Sequence, residues 1–525
     1  MFKKTGSRAS SAVWCSLGCL LLLGALGVGA SAVAEPRSPS GPPLYLPAGL
    51  DWLNVPAPLS PAELKGKVVI LDFWTYGCIN CIHVAEELRR LEERFGHRLA
   101  VIGVHSPKFD HERNLDALRS MVVRLDRRHP IVSDPDWGLM ELYGVRAWPT
   151  LAVFAPDGSW IGKVSGEGHE EKLARAIERV AELFPGGLSD RPLPLSLEKE
   201  RFAAALLAAP GKIAASDDGG RVAVSDTLHH RIILAAPDGK ILRVFGGGEP
   251  GWRDGSAEEA LFKAPQGLVF AGDVLLVADA GNHRVRSIDL TTGQVRTLAG
   301  TGRVGLSRQD GEHDALHLDL RSPWDLAVRE GQVYIAMAGG HQIWRLGLGD
   351  GKITAYAGSG REGLGTGPLR EASFSQPSGL ALMGDDLYVA DAEASAIRRL
   401  RLGQGLVENL VGAGLFEFGD RDGPLGQAQL QHVSGIATLG PGRLAVADTY
   451  NHKVKLIDLE SGTVTTVLGT GKPGRRLGSR TDTELNEPAG VAVINGRLLV
   501  ADANNHRILA LRLDSDQVEE WGLRK

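Results

Sequence analysis

The sequence predicts two domains in series, an α/β sheet domain followed by an all-β propeller of six blades, and three features carry that prediction. Strand and helix patterns alternate between residues 52 and 184, as in a sheet with crossover helices. A seven-residue element then recurs six times from Asp226 to Asp502 at spacings of 53 to 58 residues, long enough for a four-stranded blade with an extended connection. The 67 glycines and 27 prolines among 525 residues, with 6% aromatic content, point to many turns and short strands in a chain too long for one core.

Residues 1–34 read as an export signal. Lys3, Lys4 and Arg8 form a basic start, residues 12–29 are apolar and leucine-rich, and Ala32-Val33-Ala34 is a cleavage site of small residues, with Ala30-Ser31-Ala32 as a second. Residues 11–34 are also about long enough to span a bilayer, so an uncleaved anchor is the alternative. Either way the rest of the chain is expected to be exported to the periplasm or another extracytoplasmic space, with a membrane as partner only if the segment stays uncleaved. Cys19 follows Ser16-Leu17-Gly18 and precedes the leucine run, which does not fit a lipoprotein site. Cys15 and Cys19 therefore belong to the signal. The balance of 58 basic against 63 acidic residues gives a charge of -5, and no basic cluster with interleaved aromatics suggests a nucleic-acid partner.

A tether over residues 35–51 opens with a Pro/Ser-rich stretch. In the α/β domain, residues 52–184, residues 68–73 are an apolar strand, 84–95 have helical spacing and 99–104 are again a strand; residues 115–125 read as an extra helix. Residues 150–154 and 160–165 form a hairpin around Pro156-Asp157-Gly158, and 170–183 return to the helical period. A Pro/Gly-rich linker spans residues 185–200.

Cys78-Ile79-Asn80-Cys81 lies between the first strand and its helix, and no other thiol remains in the exported chain. The free N–H groups and positive end of a helix stabilise a thiolate there, which makes Cys78 the expected nucleophile. Cys81, one turn further and on the buried side, is placed to resolve a mixed disulfide.

The propeller is expected over residues 201–525. Its repeated element is Asp279-Ala280-Gly281-Asn282-His283-Arg284-Val285 in the second repeat and Asp448-Thr449-Tyr450-Asn451-His452-Lys453-Val454 in the fifth. Met337 opens the third repeat in place of Asp, and Ala394-Ser395 stand in the fourth where Asn-His is expected. Each element follows an apolar strand, preceded in its turn by starts such as Pro265-Gln266-Gly267, Pro377-Ser378-Gly379 and Pro488-Ala489-Gly490. Radial closure leaves few free sheet edges, which suits such a repeat. Gly300-Thr301-Gly302-Arg303-Val304-Gly305 fits a dinucleotide fingerprint, but it recurs in phase at Gly246, Gly358 and Gly469, as a loop between blades would. His283, His341, His452 and His506 could form a metal ring. Their place in a repeated turn favours structural hydrogen bonding instead, and no metal or cofactor is assigned.

The first domain resembles the thioredoxin superfamily: Asp72-Phe73-Trp74 precedes Cys78 at the family's spacing, and Trp148-Pro149-Thr150 matches its cis-proline loop. That resemblance implies a thioredoxin-like fold in which Asp72 accepts a proton from the resolving thiol. It also implies that Trp74, Trp148, Pro149 and Thr150 bind the substrate. The chain departs from the pattern at Ile79-Asn80 between the cysteines and at Gly77 before them. Thr75-Tyr76-Gly77-Cys78 mimics part of a peroxiredoxin motif, but Leu71 stands where its proline is expected. The Asp-x-x-Asn-His-Arg/Lys element resembles the NHL repeat, which implies a six-bladed NHL-type propeller. Together with residues 73–81 and with Gly103-Val104-His105-Ser106-Pro107-Lys108-Phe109, the combination resembles the family of NHL repeat-containing protein 2 and its bacterial relatives.

The expected function is that of an extracytoplasmic thiol-disulfide oxidoreductase acting on the thiols or disulfides of protein substrates, with an unidentified redox partner and a propeller that binds proteins. A scaffold or sensor that binds partners through the propeller, with Cys78 and Cys81 in a static disulfide, is the alternative. Catalysis by the propeller itself is a lesser one.

Overall fold

The α/β alternation folds, in chain order, as β1 (Trp52–Leu53), α1 (Pro61–Leu64), β2 (Val68–Trp74), α2 (Ile79–Phe95), β3 (Leu99–His105), α3 (Leu115–Arg124), β4 (Ile131–Ser133), α4 (Gly138–Leu142), β5 (Thr150–Phe154), β6 (Trp160–Ser165) and α5 (Glu170–Leu183). The structure is a computed structural model that describes residues 41–184, 187–201, 205–306 and 309–525. The expected export segment, with Cys15 and Cys19, lies outside the described residues. No helix among the described residues is long and apolar enough to cross a membrane.

The sheet order is β1-β4-β3-β2-β5-β6, with β2 parallel to β3 and antiparallel to β5. Every residue of β2 and β3 is buried, as expected of central strands covered on both faces. On one face Val84, Leu88 and Leu91 of α2 and Leu173 and Ile177 of α5 pack on Val68, Ile70 and Val101. On the other, Leu139, Met140 and Tyr143 cover Leu71, Phe73 and Ile102.

Both segments expected to be connectors are bound to this domain. Leu44, Leu46 and Leu50 of the tether pack against the sheet, and Leu44 N–H donates to Gly158 O at 2.8 Å. Lys67 Nζ reaches the carbonyls of His97, Ser189 and Arg191, while Asn54 receives Ser196 N–H on its carbonyl and Glu198 N–H on its side chain. Buried backbone and ammonium groups find their partners in those segments, which ties the linker down.

The propeller consists of six antiparallel sheets of four strands, three of which gain a short outer strand. The blades cover residues 210–245, 268–299, 323–357, 377–411, 433–468 and 488–520. Their innermost strands pack in a closed ring, the sixth against the first. The C-terminus completes the closure: Ile241 N–H donates to Arg524 O at 2.7 Å and Arg524 N–H to Gly239 O at 2.9 Å. Inside the ring Lys212 Nζ donates to Ser378 O at 2.6 Å and lies 3.5 Å from Asp325 Oδ2, so one lysine ties blade one to blades three and four across the channel.

The repeated residues are the joints between blades. Each histidine sits in a left-handed turn, with φ between 50° and 55° at His230, His283, His341, His452 and His506. Its Nδ1 accepts the first N–H of the next blade: Ala264 on His230 at 3.1 Å, Ser322 on His283 at 3.1 Å, Gln376 on His341 at 3.2 Å and Glu487 on His452 at 3.1 Å. His506 closes the circle with Ala209 N–H at 3.0 Å. In the irregular fourth repeat Ser395 Oγ takes the same role toward His432 N–H at 3.0 Å. The repeated glycine is needed because its φ is positive, 98° at Gly300, and a Cβ there would sit 2.2 Å from His283 O. The Gly-x-Gly motif is thus an interblade loop.

Candidate redox site

Cys78 is the N-cap of α2, and its Sγ accepts the Cys81 N–H at 3.3 Å. Both cysteines are free thiols, Cys78 half-buried and Cys81 buried. Burial pushes the Cys81 thiol well above its ordinary range, helped by its hydrogen bond with Cys78. Resolution of a mixed disulfide therefore requires a group that takes its proton.

Asp72 is fully buried in the middle of β2. Its Oδ2 accepts from Arg127 Nη1 at 2.9 Å, and Arg127 Nη2 donates to Cys81 O at 2.8 Å, so one guanidinium links the carboxylate to the backbone of the second cysteine. Burial pushes the Asp72 carboxyl up against the opposing pull of Arg127. Its Oδ1 is left without a partner, as are the buried Trp74 Nε1 and His129 Nε2.

The residues expected to bind substrate divide. Trp148-Pro149 is a cis peptide, and Trp148 keeps partial exposure. Pro149 is covered. Trp74, at 0% exposure, lies under the Arg127 guanidinium, 4.3 Å from its ring centre, and touches no solvent. Thr150, at 1%, spends its hydroxyl on Ala147 O at 2.7 Å and on Ser165 Oγ. Trp74 and Thr150 are therefore packing residues behind the site, because the central strands that carry them are covered on both sides. Trp137, not anticipated, supplies an exposed aromatic surface: its ring centre is 6.3 Å from that of Trp148, and its indole N–H donates to Pro107 O at 2.8 Å.

The turn carrying Cys78 faces the propeller. Gln376 Nε2 donates to Gly77 O at 2.8 Å and its Oε1 accepts Ile79 N–H at 2.8 Å. Lys108 Nζ forms a buried ion pair with Glu393 and donates to Glu393 O at 2.9 Å. Phe109 inserts its ring against Phe418, Tyr450 and His432, with centres 4.8 to 5.4 Å apart. His111 and Arg124 both reach Glu487, at 2.9 and 2.8 Å, and His83 reaches Ser322 Oγ at 2.8 Å. Against the cost of burial, Lys108 and His432 hold the Glu393 carboxyl at about 2, and His111 and Arg124 hold Glu487 at about 2. The face of the propeller that carries the repeat turns is therefore occupied by the thioredoxin-like domain itself.

A family model described as Thioredoxin-like matches residues 66–160, and one described as NHL repeat matches residues 485–511, in the sixth blade. NHL repeat-containing protein 2 of Bos taurus is 39% identical over 511 residues, which cover 90% of this chain and 70% of the bovine protein. The chain belongs to the NHL repeat-containing protein 2 family. Protein SUPPRESSOR OF QUENCHING 1 of Arabidopsis thaliana is 42% identical over 498 residues, 90% of this chain, but the chain spans only 47% of that protein's length. A shorter likeness is to Thiol-disulfide oxidoreductase ResA of Bacillus thuringiensis, 25% identical over 118 residues, which cover 22% of this chain and 66% of that protein.

In this member of the NHL repeat-containing protein 2 family one repeat position, at the entry to the innermost strand of each blade, recurs in the contacts with the thioredoxin-like domain, and in blade four it holds the redox turn. That position is Ala209, Ala264, Ser322, Gln376, His432 and Glu487 in successive blades, always with positive φ. Blades three to six place polar side chains there and touch the thioredoxin-like domain through them; blades one and two carry alanine. The signal was present in the sequence as a polar residue preceding Pro323, Pro377, Val433 and Pro488. Arg127, also missed, had no such marker, since it lies in a loop after α3 and meets Asp72 only in the folded sheet.

Proposed function

We propose that this protein is a thiol-disulfide oxidoreductase acting on protein substrates. The observation that carries this reading is the half-buried Cys78 at the N-cap of α2 with the Cys81 N–H on its sulfur. In the reducing direction the Cys78 thiolate attacks a substrate disulfide, a Cys78–substrate bond forms and one substrate thiolate leaves. Cys81 then gives its proton to Asp72 and attacks Cys78 Sγ, which releases the second substrate thiolate and leaves a Cys78–Cys81 disulfide. The reverse sequence oxidises a substrate dithiol. Trp148 and Trp137 offer the apolar wall on which a substrate segment rests. The propeller holds the redox turn on one face and has its outer surfaces for binding further partners. The export pattern of residues 1–34 supports action outside the cytoplasm.

The test is equilibration of the full chain in glutathione buffers, with Cys78→Ser and Cys81→Ser as controls. A reversible couple at roughly -120 to -270 mV is expected of a working exchange catalyst, whereas a pair that stays oxidised below about -300 mV is a structural bond and favours the scaffold reading.

A further inference from the structure

We propose that Gln376, a propeller residue, is a positioning residue of the redox site: its carboxamide holds the backbone on both sides of Cys78. The proposal rests on the thiol-disulfide reading and adds the propeller to the machinery that this reading places in the first domain.

The clamp has two hydrogen bonds of 2.8 Å, one from Gln376 Nε2 to Gly77 O and one from Ile79 N–H to Gln376 Oε1. Such a pairing needs a donor and an acceptor side by side, which glutamine provides and glutamate does not. Ile79 N–H is among the helix-end donors that have no intrahelical partner, and the propeller satisfies it. Gln376 is itself rigid. Its residue is 5% exposed, its φ is 65°, its N–H is held by His341 Nδ1 at 3.2 Å and its carbonyl accepts Ser378 Oγ at 2.8 Å. On the other side Gly77 N–H donates to Glu112 Oε1 at 3.2 Å. A Cβ on Gly77 would lie 2.8 Å from Glu393 Oε1 and 3.0 Å from His432 Nε2, so the glycine before Cys78 fits a turn pressed against this ring.

The clamp acts unequally on the two redox states. A Cys78–Cys81 disulfide holds the 78–81 turn covalently, whereas the dithiol relies on non-covalent contacts. The clamp and the disulfide order the same turn, so each reduces the entropy left for the other to remove. Gln376 therefore stabilises the disulfide more than the dithiol, and its loss moves the couple toward the dithiol.

The experiment is glutathione equilibration of the full chain as wild type, Gln376→Met, Gln376→Glu and, as a docking control that leaves the turn untouched, Ser322→Ala. Both Gln376 variants are expected to favour the dithiol by about tenfold, roughly 30 mV less negative, with Ser322→Ala within about twofold of wild type. Gln376→Glu is nearly isosteric and keeps the test open if Gln376→Met fails to fold. Potentials of both Gln376 variants within about twofold of wild type overturn the proposal. A wild type without a reversible couple overturns the thiol-disulfide reading instead. The clamp is then read from alkylation of Cys78 in a Cys81→Ser background, which Gln376→Met is expected to accelerate several-fold; an unchanged rate overturns it.

Discussion

At the scale of single residues, the site turns on charges placed where water does not reach. Asp72 and Arg127 are both buried and paired at 2.9 Å. Removing one partner of such a pair leaves an uncompensated buried charge. Arg127→Met is expected to cost about 3–5 kcal/mol, measured by urea unfolding, and adding Asp72→Asn is expected to recover part of it; equal stability of Arg127→Met and wild type would show that the pair contributes nothing. Asp72 was legible in the sequence through the resemblance to the thioredoxin superfamily, and Arg127 was not, because a loop cation is chosen by folding. The third repeat shows the same rule in reverse. Asp279 accepts Lys263 N–H and Arg286, but Met337 replaces the carboxylate and its sulfur receives Arg321 N–H at 3.3 Å. Trp344 stands there in the place of Arg286, and Arg398 and Lys455 hold it in blades four and five. Acid and base are lost together, so no charge is stranded in the core.

At the scale of the element, the blade turn is a hydrogen-bond relay whose acceptors are neutral imidazoles. Burial lowers His283 to about 3, His341 to about 4 and His452 to about 3. A histidine whose folded value lies below its unfolded value near 6.5 binds fewer protons folded than unfolded, so its contribution is intact above pH 6.5 and is lost as pH falls toward the folded value. Burial also raises Asp279 to about 6 and Asp391 and Asp448 to about 7, and these carboxyls work in the opposite direction over the same range. The histidine effect is therefore read as a difference. His283→Ser, which copies the serine joint of the fourth repeat, is expected to be less stable than wild type at pH 7, with the gap narrowing between pH 6.5 and 4.5; a gap constant with pH in chemical unfolding would contradict a neutral-histidine joint. The sequence marked these elements well, since the strands at residues 150–154 and 160–165 and the helix at 170–183 form as expected, their periods being set by local burial alone. The helix expected over residues 84–95 begins earlier, at Ile79, because Cys78 caps it and the apolar period does not extend into its first turn. The short strands β1 and β4 carry too few residues to show a period, and they exist by pairing with each other and with β3.

At the scale of the whole molecule, the two domains are docked through buried charge and aromatic packing. Lys108 and Glu393, at 4% and 7% side-chain exposure, form an enclosed ion pair between the domains beside the redox turn. Lys108→Met is expected to weaken docking by about 3–5 kcal/mol and to raise the alkylation rate of half-buried Cys78 several-fold while far-ultraviolet circular dichroism stays unchanged; alkylation at the wild-type rate would show that the interface does not depend on this pair. The sequence by itself determined the two folds, the six blades and the cysteine pair, because apolar period, turn chemistry and repeat length are local properties written along the chain. Only the tertiary structure decided that Trp74 and Thr150 are packing residues, that Arg127 belongs to the site, that the tether and linker are held down, and that the repeat-turn face of the propeller closes on the redox turn. Those outcomes depend on which surfaces meet across hundreds of residues of sequence, such as Gly77 with Gln376, and such meetings follow from the shape of two finished domains, which no local pattern records.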